Sequence, residues 1–287
     1  VSHFLEEIRE IAARAVVLRD GRSVWTGRLD EVSDEGLIRH MIGRPVESVF
    51  ADTGPRPAGE VLLAVDSVAN ASFELRRGEI LGIAGLVGSG RTELLRSLFG
   101  LDAVGRGALT IRGERLEPQR LSASGSIRRG VGYLSEDRRV EGLFPHLSVR
   151  ENLTMTRLDG GDIGAWIERL RIKAGDIEDS VVTLSGGNQQ KILLARLLHQ
   201  GAEILLLDEP TRGIDVGTKA EIYDLIRALA AEGKGIVMVS SYLPELFGVC
   251  DHLAVMNRGR LSGVRPIDAW TPDSVLEAAI GGGPVAA

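Results

Sequence analysis

Asp208 and Glu209 stand side by side at the end of the apolar run ILLLDEP, and Ser185 of LSGGNQQK (Leu184 to Lys191) lies twenty-three residues before them. Further upstream GLVGSGRT, Gly85 to Thr92, follows the apolar run Ile80–Ala84. Each fragment suits one part of the handling of a nucleoside triphosphate. In the first, Gly85, Gly88 and Gly90 let the backbone wrap closely around phosphate oxygens, with Val87 and Ser89 between them, and the helix that follows offers unpaired N–H groups to an anion. The pattern is that of a phosphate loop except that Arg91 stands where lysine is expected, while Thr92 places a hydroxyl for a magnesium ion. Arginine keeps the charge but replaces a compact ammonium with a planar fork, so binding is expected to survive while phosphate positioning suffers. At the strand end, Asp208 is expected to bind magnesium directly or through water. Glu209 is expected to polarise a water aimed at the γ-phosphate, with strand alternation pointing the two carboxylates to different sides. Ser185, Gly186 and Gly187 precede a helix expected through Asn188 to Leu198, whose first turn carries Gln189 and presents backbone donors to a ligand. Singly, SGG is an ordinary turn and DEP an ordinary strand exit; the order of all three carries the signal.

The elements that must position these residues read as an alternation. FELRRGEILGIAG runs from an edge-like strand into the apolar strand Ile80–Ala84, and Arg91–Phe99 reads as the helix after the glycine loop. EILLLDEP and GIVMVSS are short apolar strands, and between them Ile222, Leu225, Ile226 and Leu229 have helical spacing that closes at Gly233. Apolar strands alternating with helices imply an α/β fold with a mostly parallel sheet covered on both faces.

An internal repeat organises the rest. VSHFLEEIREIAARAVVLRDGR aligns without gaps on VSSYLPELFGVCDHLAVMNRGR at an offset of 238, and the same offset carries Ile42–Gly43 onto Ile280–Gly281. Both copies read as a strand end, a short helix, a strand, a turn at Gly21 or Gly259 and a final helix. The expected division is therefore 1–43 as the last part of one domain, 44–60 as a proline-bearing linker and 61–287 as nearly all of a second domain.

Composition narrows the classes. With 44% hydrophobic and 26% charged residues the chain matches an ordinary globular protein. Its apolar runs fall far short of the roughly 20 residues that span a bilayer, and no basic stretch leading into an apolar one suggests a secretory signal at the start. A net charge of −6 disfavours nucleic acid as the main partner. The single cysteine, Cys250, is expected to be a buried, inert thiol. Of the five histidines, His40, His146, His199 and His252 lack ligand spacing, and Trp25, Trp166 and Trp270 are scattered as packing residues would be.

Taken together, GLVGSGRTE, GYLSEDRR, LSGGNQQK and DEPTRGIDVGTK resemble the ATP-binding-cassette family. Over roughly residues 60–281 they are most similar to the second cassette of the tandem ATPases that power uptake of ribose, galactose, xylose and related sugars. The resemblance implies a P-loop NTPase core with a small antiparallel β subdomain and a helical subdomain, and ATP with Mg2+ as cofactors. It implies two cassettes facing head to tail, with each ATP held between the phosphate loop of one and the signature of the other. Asp208 would then sit at magnesium, Glu209 would be the catalytic base, Ser185–Gly187 would reach the opposite cassette's ATP, and Asp215 would lie in the loop communicating across the interface. The implied partners are a multispanning sugar permease, a second cassette and, indirectly, a periplasmic sugar-binding protein. The implied location is peripheral, on the cytoplasmic face of the cell membrane.

Three positions near the γ-phosphate depart from a fully active cassette: Arg91 replaces lysine, Glu136 occupies the usual glutamine position, and Ser241 stands where the other copy of the repeat has His3. Glu136 and Ser241 should weaken hydrolysis rather than the fold. The stretch from Asn152 to Leu184 reads about a helix short, LLAVDSVANASFELRRGE a few residues short, and no aromatic between Phe50 and Phe73 is available to stack on adenine. The Arg128–Arg129 and Arg138–Arg139 pairs could touch phosphate or permease, or be solvated charge. Besides an energy-coupling ATPase, two other readings stay open: a weak or inactive cassette that only completes a partner's ATP site, including a truncated remnant, and a soluble ATPase acting on ribosomes or DNA. The short linker, lacking a long basic helical arm, argues against the last.

Overall fold

The computed structural model describes residues 5–19, 21–43, 59–158 and 161–281. His3 and, apart from Gly59 and Glu60, the expected linker lie outside the described residues. The chain opens with α1 (Leu5–Ile11), β1 (Arg14–Arg19), β2 (Arg22–Arg28) and α2 (Asp34–Ile42). These form a small unit of their own around Val17, Leu29 and Leu37, with β1 and β2 as an antiparallel ribbon and α2 resting against a helix of the main body, α8.

The main body begins with β3 (Val61–Val68), β4 (Ala71–Arg76), β5 (Ile80–Gly85), α3 (Arg91–Phe99), β6 (Ala108–Ile111) and β7 (Glu114–Leu116). It continues through α4 (Ala123–Arg128), β8 (Val131–Leu134), α5 (Val149–Thr154), α6 (Ile163–Arg169), α7 (Gly186–His199) and β9 (Ile204–Asp208). It ends with α8 (Val216–Ala231), β10 (Gly235–Val239), α9 (Leu243–Val249), β11 (His252–Asn257), β12 (Arg260–Leu261), β13 (Arg265–Pro266) and α10 (Pro272–Ile280). The principal sheet runs β12-β11-β5-β10-β9-β8, with β13 also on β11; the contacts from β11 through β8 are parallel and the two short strands are antiparallel. A second, antiparallel sheet has the order β4-β3-β6-β7.

The apolar strands are continuous because both faces are covered. Along β9, Ile204 and Leu206 face the core shared with α3 and the antiparallel sheet, whereas Leu205 and Leu207 face the core built by α7, α8 and α9. The same alternation divides Val237 and Val239 from Ile236 and Met238 on β10. This is the burial pattern of a covered parallel sheet. Between α5 and α7 the described residues form the seven-residue α6 and a 3-10 turn at Val181–Thr183. Among the described residues no helix is long and apolar enough to cross a membrane.

Candidate functional site

The glycine loop joins the end of β5 to the start of α3 and takes its shape from two positions with left-handed backbone, Gly88 at φ +75° and Gly90 at φ +104°. Gly85 is required by packing, since a Cβ there would stand 2.6 Å from the Met256 carbonyl and from Ser89 Oγ. Val87 is 92% exposed at the tip, and Ser89 Oγ is buried without a partner.

Asp208 closes β9 directly beneath this loop. It is fully buried and neither carboxylate oxygen has a hydrogen-bond partner. Burial pushes its pKa up to about 6, and Glu209 adds to the rise. The nearby Thr92 and Tyr133 hydroxyls and Arg91 oppose it, the two hydroxyls without making a well-formed hydrogen bond. A buried carboxylate left open beside a threonine hydroxyl has the donor set a hard divalent cation takes. Glu209 departs from the alternation expected of a strand. It sits outside β9 in the left-handed region at φ +47°, and its own N–H is bound to the Val239 carbonyl at 3.0 Å. That turn delivers the carboxylate to the Ser241 N–H, which donates to Oε1 at 2.6 Å.

Arg91 is 8% exposed, and its fork is committed to the protein. Nη1 donates to the Ser240 carbonyl at 2.6 Å, and Nη2 lies 3.4 Å from Glu209 Oε1. Burial lowers its pKa, while the Glu209 and Asp208 charges pull it back up.

The signature is a second group, built away from this one. Ser185 caps α7, accepting from the Asn188 N–H at 3.4 Å and from Asn188 Nδ2 at 2.9 Å. Gly187 permits α7 to press on the start of α8, because a Cβ there would lie 2.3 Å from Thr218 Cγ2. Asp215 caps α8 through the Thr218 N–H at 3.0 Å and Oγ1 at 2.7 Å. Gln189 turns inward and donates to the Val181 and Leu184 carbonyls at 3.3 and 3.2 Å. Ser185, Asp215 and Thr218 open instead onto a cleft of about 920 Å³ whose other wall is Ile8, Ile11, Val16 and Leu18.

A family model described as ABC transporter matches residues 68–212, from the β3–β4 hairpin through the acidic pair. The chain belongs to the ABC transporter family. Among ABC relatives, the ribose import ATP-binding protein RbsA 3 of Rubrobacter xylanophilus is 43% identical over 301 aligned positions, covering 98% of this chain and 60% of the relative. A putative ribose/galactose/methyl galactoside import ATP-binding protein of Halalkalibacterium halodurans is 39% identical, covering 98% of this chain and 57% of the relative. The chain thus spans about 60% of the length of the relatives it matches. An alignment of 301 positions exceeds the chain's 287 residues, so the relative carries residues that this chain lacks. Two solved ATP-binding cassettes of ABC transporters share the fold. One, crystallised nucleotide-free, has a TM-score of 0.65 at 17% identity. The other, MJ1267, has 0.66 at 18%, and each solved chain is covered in full by 77% of this one.

Within this ABC cassette the remaining departures acquire partners. Glu136 forms an ion pair with Arg212, so its carboxylate is turned toward a cation of the chain itself. Ser241 has an exposed side chain and contributes its backbone N–H. Two residues the motifs did not reveal complete the acidic end. Glu245, buried on α9, accepts from Thr211 Oγ1 at 2.6 Å and from Ser240 Oγ, holding together the two segments that flank Glu209. The one available signal was that the repeat places a second glutamate, Glu7, at the equivalent position. Tyr133, on β8 opposite Leu206, brings a buried phenol toward Asp208; burial first and the Asp208 charge second raise its pKa. Several of the other candidates have structural partners. His199 meets the Arg157 carbonyl, His252 pairs with Glu79, His40 stacks on Trp25, Trp270 donates to the Leu253 carbonyl, Arg129 pairs with Glu114, and Cys250 is buried against Gly82.

Proposed function

We propose that this chain is the ATP-handling part of an importer for a simple sugar, acting as a pair with a second cassette. The observation that carries the reading is Asp208: fully buried, ionisable, without a partner at either oxygen, and beside Thr92 at the mouth of the glycine loop. Gly85, Val87, Gly88, Ser89, Gly90 and Thr92 would cradle the phosphates, with Thr92 and Asp208 holding magnesium, which on binding would offset the charge of the phosphate oxygens. Glu209 would orient and polarise a water, its second oxygen remaining available while Ser241 N–H holds the first. Arg91 must leave the Ser240 carbonyl and the Glu209 carboxylate before its fork can reach phosphate, and this makes the chain's own site slow. Ser185, Gly186 and Gly187, with Asp215 beside them, would serve the facing cassette's nucleotide. Residues 1–43 are read as a second occurrence of a cassette's closing segment, and 44–60 as the linker between the two. Its partners on this reading are a multispanning sugar permease and, indirectly, a periplasmic sugar-binding protein, at the inner face of the membrane; the likeness to import ATP-binding proteins supports the permease.

In a complex with the facing cassette, Glu209→Gln is expected to lower turnover at this chain's own site by about 100-fold. Ser185→Arg is expected to abolish turnover at the other site. If Ser185→Arg alone removes all turnover, this chain is a module that completes its partner's site and does not hydrolyse ATP. If this chain shows no Mg2+-dependent ATP binding in titration calorimetry, the reading falls.

A further inference from the structure

The segment between β8 and α5 carries two residues that reach the same distant loop. Glu136 pairs with Arg212, just beyond the acidic end of β9. Arg138 opens a single π-helical turn, Arg138–Gly142, whose start is fixed by Asp137 accepting from the Arg139 and Val140 N–H groups. From there Arg138 donates Nη1 to the Arg212 carbonyl at 2.7 Å and Nη2 to the Gly213 carbonyl at 3.2 Å. The same guanidinium fills the space beside the signature, since a Cβ on Gly186 would stand 2.7 Å from Nη2 and 3.4 Å from the Gly213 carbonyl. Three segments far apart in sequence, 136–142, 212–213 and the turn 185–187, therefore share one side chain. Its Nε is buried without a partner, and burial lowers its pKa. A merely solvated arginine would avoid that desolvation.

We propose that Arg138 is a positioning residue for the signature. It holds Gly186 against the 212–213 loop and so keeps Ser185–Gly187 in register with Asp215, where the two can meet a facing cassette's ATP. This rests on the reading of Ser185–Gly187 as groups that serve that ATP. A planar fork suits the task because it spans two successive carbonyls, which a single ammonium does not. The Glu136–Arg212 pair is 35% and 63% exposed, so solvent and salt weaken it, and it guides the segment onto the clamp rather than holding it there. On this view Glu136 and Arg212 are complementary halves of one contact, and the signature glycines answer to an arginine inside the chain as well as to a ligand outside it.

Arg138→Gln tests this in two steps. In the chain alone, amide exchange at Gly186–Asn188 and Arg212–Gly213 is expected to quicken by at least about 10-fold, while amides of the 85–92 loop keep their rates and Mg-ATP binding stays within about twofold. Arg212→Ala should quicken the same amides less, and its effect should shrink at high salt. In the complex, Arg138→Gln should lower kcat at the facing site by about 10-fold or more with KM little changed, and Arg138→Lys should recover part of it. Unchanged exchange at the signature, or equal losses at the facing site and in Mg-ATP binding by this chain's own loop, would overturn the proposal. A Ser185→Arg control that leaves facing-site turnover intact would instead remove the reading beneath it, whatever Arg138 does.

Discussion

Residues 5–43 and 243–281 are the same structural sentence written twice, in different surroundings. At a constant offset of 238, α1 maps onto α9, β1 onto β11, the 3-10 turn Leu29–Glu31 onto Ile267–Ala269, and α2 onto α10, each with identical bounds. Gly21 and Gly259 both turn at φ +73°, and Gly43 and Gly281 end their helices at φ +86° and +97°. The final helix packs on its own strand in both copies, but the strands' other neighbours differ. In the second copy β11 lies between β5 and the short strands β12 and β13; in the first, among the described residues, β1 pairs with β2 alone. Val16 and Leu18 are 56% and 64% exposed where their counterparts Ala254 and Met256 are fully buried. Ile11 is 84% exposed where Val249 is buried. Local signals, the caps and turn glycines, are enough to set the elements in both places. Burial has to be supplied by a neighbouring strand, and among the described residues the first copy has the faces for it without the neighbour.

The sharpest way to break this comparison is to place the same charge at equivalent positions. Met256→Asp buries an unpaired carboxylate in the sheet and is expected to cost more than about 4 kcal/mol, enough to unfold the main body. Leu18→Asp, already facing solvent, should change stability by no more than about 0.5 kcal/mol. Urea unfolding of both variants decides the matter, and comparable losses would mean that the β1 face is covered in solution.

That contrast also marks how far the sequence could be read. The bounds of α3, the start of β10, the order of the three motifs and the two-sided sheet were legible because each depends on neighbours along the chain. Arg91 was legible as a departure but its destination was not: it binds a carbonyl 149 residues away. Glu136 read as an added charge near phosphate because Arg212, on another loop, is invisible to spacing. Arg138 stayed open between a phosphate or permease contact and solvated charge, because its carbonyl partners on the 212–213 loop are equally invisible to spacing. Glu209 was assigned by strand alternation, which fails where the backbone turns left-handed at the strand end. Gln189, expected toward a ligand, caps carbonyls of its own loop. The misreadings gather where loops from separate crossovers converge, and that is where the chemistry is.

A second prediction belongs to the main body alone, where the principal sheet buries Asp208 at the end of β9. Asp208 is held near pH 6 in the fold, above its ordinary 3.8, mainly by burial. The folded protein therefore binds this proton more tightly than the unfolded chain does. Its contribution is intact below about pH 4 and is lost as the pH rises through about 6. Relative to Asp208→Asn, the wild type should lose on the order of 2 to 3 kcal/mol across that window. Unfolding of the main body, followed by circular dichroism in both proteins, measures the difference, while Trp25 fluorescence should report no such response in the first copy. Magnesium needs the ionised carboxylate, so its stabilising effect should fade below about pH 6. An Asp208→Asn variant less stable than the wild type at pH 7 would contradict the assignment.

The smallest expected effect is the one that should be equal in both copies. Ser33 caps α2 by accepting from the Gly36 N–H at 3.1 Å, and Thr271 caps α10 from the Ser274 N–H at 3.2 Å. Both hydroxyls satisfy a backbone donor that the helix leaves open, so replacing either with alanine should cost about 1 kcal/mol. Thr271 has two further contacts with Ser274 Oγ, which accepts from the Thr271 N–H and donates to the Thr271 carbonyl, each at 2.9 Å, but both use the Thr271 backbone and survive the substitution. The two costs should thus agree although the helices pack so differently. Only the readout should differ. α10 packs on β5 and β11, so Thr271→Ala should lower the midpoint of global unfolding. Ser33→Ala should appear chiefly as faster amide exchange in the first turn of α2. Costs that diverge by more than about twofold would show that packing against the sheet, and not the cap itself, sets where these helices begin.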